Sequence, residues 1–130
     1  VKIGAVLNPR GWERWEEAER LLEPARARGD FPSVLDDDEL LFAVLDGDDL
    51  LACATAWLST DGVVEVKLIG GRDHRRWLRE LDEKIGAEAR QAGAVRMIGI
   101  GRRGWLRELK RLGWAQSGKI EDHWLFVKEL

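Results

Sequence analysis

The sequence predicts a single α/β domain, in which an antiparallel three-strand meander leads into a strand-helix-strand crossover to give a mixed sheet with helices on both faces. Three observations carry this reading. Between Glu39 and Ile69, three apolar segments of strand length are separated by two short clusters of turn formers. After Gly70-Gly71 the apolar period lengthens from two to between three and four. With 130 residues, 45% hydrophobic and 35% charged, the chain has the size and balance of one packed domain, 1–130, and it contains no repeat or linker.

The elements follow in order. Val1 to Leu7 is a short strand, ended by Asn8-Pro9-Arg10-Gly11. Trp15, Ala18, Leu22 and Ala25 recur at helical spacing among Glu and Arg, so an amphipathic helix follows, its far end limited by Pro24 and Gly29. Gly29 to Asp38 is a connecting loop. Glu39 to Asp46 is apolar on both alternating faces, as a strand covered from both sides must be, and Asp46 to Asp49 reverses the chain into Leu50 to Ser59. Thr60-Asp61-Gly62 turns it again into Val63 to Ile69, where Val64, Val66 and Leu68 are assigned to one face and Glu65 and Lys67 to the other. Trp77, Leu78, Leu81, Ile85 and Ala89 make the stripe of a central helix that stops at Gly93. Val95 to Ile100 is then a strand reached by crossover, which favours parallel pairing. Gly101 to Gly104 breaks it, Trp105, Leu106, Leu109 and Leu112 line a short helix ended by Gly113, and His123 to Lys128 closes the sheet as a final strand or one of a pair.

Composition excludes several classes. A net charge of −3 gives no global attraction to nucleic acid or to an anionic membrane. The single cysteine, Cys53, lies in the apolar run LLACATAW and reads as a buried small side chain in a reducing compartment. No apolar run is long enough to span a bilayer and the first residues lack the pattern of a signal peptide, so a cytoplasmic location is expected. Neither histidine has partners spaced as metal ligands, so no metal is expected.

From Val63 to Trp114 a strand, a Gly-Gly turn, a long helix, Gly93-Ala94, a strand, a short helix and Arg111-Leu112-Gly113-Trp114 follow one another. This order resembles the GNAT (N-acetyltransferase-like) fold family, with RLGW in the place of the K-L-G-F ending of that family's last helix. A closer likeness is to small GNAT-like proteins of tailed phages, among them an internal virion protein of short-tailed phages, where a glycine and several basic residues open the central helix as Leu68 to Trp77 do here.

The resemblance implies that acetyl-CoA or another acyl-CoA is the cofactor, with its pyrophosphate at the start of the central helix. The positions that fall there are Gly70, Gly71, Arg72, Asp73, His74 and Arg75. Free N–H groups at a helix start, beside arginines, suit an anion. Two other readings stand beside this one: a tight strand-to-helix turn with a solvated basic face, or Asp73 as an N-cap that occupies those donors. Glu65, on the polar side of its strand, is the candidate general base, set against an ordinary surface pairing with Lys67. His123 is a second titratable candidate, set against a place on the rim of a strand.

The resemblance places Leu109 where many members of the family have a proton-donating tyrosine, and the chain has no tyrosine. Together with the bulky GGRDHRRW loop, this predicts a catalytically degenerate protein of phage or prophage origin that acts through protein contacts, with phage structural proteins or its own copies as partners. The alternative is an active acetyl-CoA-dependent N-acetyltransferase. Nucleic-acid binding through Arg72 to Arg76 and Arg102-Arg103 is disfavoured by the acidic balance. Of the seven tryptophans, Trp77, Trp105 and Trp114 are assigned to the core, while Trp12 and Trp15 either pack the first helix or form an exposed pair.

Overall fold

The computed structural model describes residues 1–29 and 31–130. Asp30, in the predicted connecting loop, lies outside the described residues. Seven strands form one sheet in the order β1-β2-β3-β4-β5-β7-β6, namely β1 (Lys2–Val6), β2 (Leu40–Asp46), β3 (Asp49–Leu58), β4 (Val63–Gly71), β5 (Arg96–Gly101), β6 (Ala115–Ile120) and β7 (His123–Glu129). Three α-helices cover it: α1 (Trp15–Arg28), α2 (Leu78–Gln91) and α3 (Leu106–Arg111). The predicted meander is β2-β3-β4, and the crossover through α2 makes β4 and β5 a parallel pair among antiparallel neighbours. Helix α1 runs through Pro24 and ends at Gly29; Pro24 sits on its exposed side, where water can satisfy the carbonyl left without a donor, so the proline does not end the helix as the sequence suggested.

The core is double, one cluster on each face of the sheet. Alternation along β2 shows the division: Leu41 and Ala43 join Ala18 and Leu22 of α1, whereas Phe42 and Val44 join Leu81, Ile85 and Ala89 of α2. Trp77 and Trp114 are buried in the second cluster, as expected. Trp105 is half-buried, and Trp12 and Trp15 pack beside the first cluster, so they do not form an exposed pair.

β4 departs from simple alternation. Thr55 of β3 pairs with Leu68, but the next residue, Ala56, pairs with Val66, which leaves Lys67 as the extra residue of a β-bulge. Beyond a bulge the faces exchange. Val64 and Val66 therefore lie in the α2-side cluster while Leu68 lies in the α1-side cluster, correcting the shared face assigned from the sequence. The sequence carries no mark of the extra residue, since Glu65-Val66-Lys67-Leu68 alternates without interruption.

A buried polar junction ties α2 to the far side of the sheet. The Asp82 carboxylate, 7% exposed, accepts a hydrogen bond from Trp114 Nε1 at 2.7 Å and from Lys128 Nζ at 2.5 Å. Each partner would be stranded without it. Asp82→Ala is expected to lower the unfolding free energy by about 1–3 kcal/mol, because it leaves the buried Trp114 N–H and a part-buried ammonium without their acceptor; chemical denaturation of the purified variant measures this.

Candidate functional site

Strands β4 and β5 are paired only from Val63↔Arg96 to Val66↔Gly99. Past that point β4 stays with β3 as far as Gly71, and β5 stays with β7 as far as Gly101↔Trp124, so the sheet opens as a Y. The edge of β4 that faces the opening has no ladder partner after Val66, and its main-chain donors and acceptors are available to a ligand. A cavity of about 520 Å³ fills the fork. Val66, Lys67 and Ile69 form one wall, Gly99 to Arg102 the other, and Trp105, Leu109, Trp114 and Phe126 give it an apolar lining. Arg28 at the end of α1, Phe31 just after it, Glu121 of the β6–β7 turn and His123 at the start of β7 also line it.

The residues singled out from the sequence divide around this cavity. Glu65 is not on its wall: it pairs with Ile98 and Trp57 while β4 and β5 are still joined, before the fork begins. Lys67, two residues on, lines it. His123 is at its rim, half-buried, with Nε2 at 3.3 Å from the main-chain oxygen of Arg28. Leu109 is in the wall, so the position the resemblance gave to a proton donor does face the cavity, with a side chain that cannot donate.

None of Gly70 to Arg75 lines the cavity; they form the turn beyond its end. Gly70 and Gly71 are required there by close packing. A Cβ on Gly70 would stand 2.0 Å from the Leu21 carbonyl oxygen, and one on Gly71 2.4 Å from both Ala52 Cβ and the Leu51 oxygen. Asp73 adopts a left-handed conformation (φ 57°) and makes no side-chain capping bond, so it does not close the helix start. A single 3-10 turn, His74–Arg76, intervenes, and the N–H groups of Leu78, Arg79 and Glu80 precede the first bond of α2, from Leu81 N to Trp77 O at 2.9 Å. The side chains of the turn are mostly engaged. Arg72 pairs with Asp49 at 2.5 Å, Arg76 with Asp46 at 2.7 Å and His74 with Glu108 at 2.8 Å, and the His74 ring stands edge-on to Trp105. Among the described residues Arg75 has no carboxylate partner, and no group of three His, Cys, Asp or Glu is arranged for a metal.

The bulge residue Lys67 turns its ammonium away from the cavity. Its Nζ lies 2.9 Å from Glu39 Oε1 and 3.5 Å from Asp36 Oδ2, and beside the Trp57 ring. Burial pushes the Glu39 carboxyl above its ordinary value, although the hydrogen bond and charge of Lys67 pull it down. Burial works against the Lys67 ammonium too, but the bond from Glu39 and the neighbouring carboxylates outweigh it and its pKa is raised. The two directions differ: Lys67 gains more from its carboxylates than burial costs it, whereas Glu39, with one carboxyl oxygen left without a partner, loses more to burial than Lys67 returns. Burial also pushes the Cys53 thiol up to about 12, which keeps it inert.

No protein-family model matches the chain, and comparison with curated proteins finds no match either. Solved structures do match. A GNAT family acetyltransferase from Elizabethkingia anophelis with acetyl-CoA bound superposes with a TM-score of 0.75 at 12% identity, over 99% of this chain and 97% of that one. PaiA N-acetyltransferase from Thermoplasma acidophilum, in complex with coenzyme A, gives 0.73 at 12% identity over the whole of both chains. The aminoglycoside 6'-N-acetyltransferase from Enterococcus faecium gives 0.73 at 13% identity, over 99% and 97%. The chain has the GNAT fold. Within that fold the fork between β4 and β5 and the turn into α2 are two places where a ligand can meet unpaired main chain. Reasoning from sequence did not single out Arg28 or Glu121 and gave Lys67 and Arg102 other roles; all four line the cavity because the end of α1, the bulge in β4, the end of β5 and the β6–β7 turn converge on it, which no local pattern signals.

Two outcomes test this geometry. Gly70→Ala should cost about 2–3 kcal/mol of stability by forcing α1 off the sheet, read from the shift in denaturation midpoint. Folded Glu39 holds its proton to higher pH than the unfolded chain does. The stability it contributes is therefore full below its ordinary value of 4.5 and is lost as pH rises through the raised folded value. Glu39→Gln removes that slope, so the variant should gain on the parent as pH goes from acid to neutral, measured as the difference between their urea midpoints.

Proposed function

We propose that this chain binds an acyl-CoA thioester in the fork between β4 and β5 and transfers the acyl group to an amine. The observation that carries the reading is the fork itself, a strand edge left unpaired beside an apolar cavity of about 520 Å³. The amide groups of a pantetheine arm can extend the ladder along Lys67 to Ile69, as an added strand would. The apolar walls at Trp105 and Trp114 suit the thioester end. Acetyl-CoA and coenzyme A are the ligands of two of the structural neighbours, which supports the same donor class here.

The pyrophosphate would go to the turn from Gly70 to Arg75, at the start of α2. Arg72 and His74 already have partners, but the Arg72 pair is largely exposed, and such a pair is worth only about 0–1 kcal/mol, while the His74 pair with Glu108 is part-buried. Exchanging a carboxylate for a doubly charged phosphate at Arg72 is inexpensive. The absence of a donor at Leu109 slows the reaction without forbidding it. A general acid typically contributes about 10²–10⁴-fold, while a thiol with a pKa of about 8.5 leaves readily as thiolate near neutral pH.

Leu109 favours a second reading, that of a protein which keeps the thioester site but has lost turnover and acts through protein contacts, as a phage accessory or virion component. Titration with acetyl-CoA and an assay for released thiol separate the two. The first reading expects saturable binding, a rise in melting temperature of about 5–10 °C at high ligand, thiol release with an amine acceptor, and faster release in Leu109→Tyr. Binding without release in either protein establishes the second, and absence of binding at millimolar acetyl-CoA sinks both.

A further inference from the structure

We propose that the part of the cavity lined by Arg28 and Glu121 takes a small amine that also carries a carboxylate, with His123 as the base that deprotonates it. This rests on the acyl-transfer reading above and names the acceptor for the same site.

The argument begins with charge. Four side chains with full charges line the cavity: Arg28, Lys67, Arg102 and Glu121. The ammonium of Lys67 is spent on Glu39 and Asp36. Arg28 and Glu121, both exposed, have no ion-pair or hydrogen-bond partner for their side chains among the described residues, and they reach the cavity from two segments, the end of α1 and the β6–β7 turn, that His123 joins. Arg102, also without a carboxylate partner among the described residues, adds a second positive charge at the end of β5. A simple cationic amine would be drawn to Glu121 and repelled by Arg28; an acid without an amine would meet the reverse. A ligand with both charges meets a counter-charge from each segment. The apolar side chains of Phe31 and Ile120 between them accommodate a hydrocarbon body.

His123 supplies what the amine needs. Its Nε2 is 3.3 Å from the Arg28 carbonyl oxygen, and a carbonyl oxygen only accepts, so the proton of the neutral ring is on Nε2. The lone pair on Nδ1 is then free. Glu121, next but one in the chain, is held at φ 55°, a left-handed conformation that costs a non-glycine residue about 1–2 kcal/mol. A two-residue turn such as Glu121-Asp122 requires a conformation of this kind, and it leaves the exposed Glu121 among the residues that line the cavity.

The step balances as follows. One proton passes from the ammonium to His123 Nδ1, and the freed lone pair forms a C–N bond to the thioester carbonyl carbon. The C–S bond breaks with its electron pair on sulfur. The remaining surplus N–H proton reaches the thiolate through water, giving an amide and free thiol, and the imidazolium returns its proton to solvent.

The test compares phenylalanine with phenethylamine, which differ only in the carboxylate, on the full chain with acetyl-CoA. kcat/KM should favour phenylalanine at least about tenfold. Arg28→Gln should bring the two toward parity by raising KM for phenylalanine roughly 10–100-fold, the range for one hydrogen bond to a charged group. His123→Ala should lower kcat about 10²–10⁴-fold with little change in KM, and added imidazole should restore part of it. Equal use of the two acceptors, or an Arg28→Gln loss shared equally by both, overturns the proposed acceptor. Failure of imidazole to restore turnover overturns the role of His123. Calorimetry of phenylalanine against phenethylamine, run without acetyl-CoA, tests the acceptor end by itself. A preference there in a protein that does not bind acetyl-CoA would leave the acceptor end standing while the acyl-transfer reading fell.

Discussion

A single extra residue in β4 governs the architecture of the site. A strand that bulges at Lys67 bends and twists more strongly than its neighbour, and the ladder to β5 stops one residue earlier, at Val66↔Gly99. From there each strand keeps its other partner, β3 or β7, so the separation widens without breaking the sheet on either side. The cavity, the unpaired strand edge and the exchange of faces that sends Leu68 toward α1 are three results of this one irregularity. A strand without the bulge would continue the parallel ladder and fill the space with its own hydrogen bonds.

Two buried polar clusters hold the arms of the fork apart. On the α1 side the bulge residue is tied through its ammonium to Glu39, 8% exposed, and thereby to the segment that brings Phe31 to the cavity. On the α2 side Asp82 fixes the indole of Trp114, which lines the cavity floor, to Lys128 of β7. Such pairs gain little net energy over apolar packing, but they tolerate only one arrangement of their partners. Their effect is to specify where each wall stands. Glu39 Oε2 is left without a hydrogen bond, which is consistent with an acid whose burial raises its affinity for a proton.

Much of this fold could be read from residue order. The turn formers at Gly47 and Gly62 and the change of period after Gly71 gave the meander and the crossover, because local geometry there depends on local residues. β6 was the least legible strand: Ala115 to Ile120 is nearly all exposed and lacks the apolar alternation by which strands are recognised. For the site, His123 and Leu109 were found, and the glycine pair was located although its reason proved to be contact with Leu21 and Ala52. Glu65 was chosen on alternation alone, and alternation does not show where β4 and β5 part, one residue beyond it. Arg28 and Glu121 are 93 positions apart in the chain and meet only because α1 and the β6–β7 turn frame the same opening.

The same constraint explains how a chain can share this shape with proteins only 12–13% identical to it. What the fork leaves open is main chain, the free edge of β4, and beyond its end lie the first amides of α2. Main-chain donors need no particular side chain, only a bulge, a turn that passes close to α1, and apolar walls of the right volume. Residue types are then free to drift in most of the site, which is why Arg, His and Asp can occupy the turn after Gly71. The rim differs in kind, since charge there can come only from side chains. If the proposed transfer holds, selectivity for the acceptor rests on the few charged and titratable positions that line the cavity, Arg28, Glu121 and His123 among them.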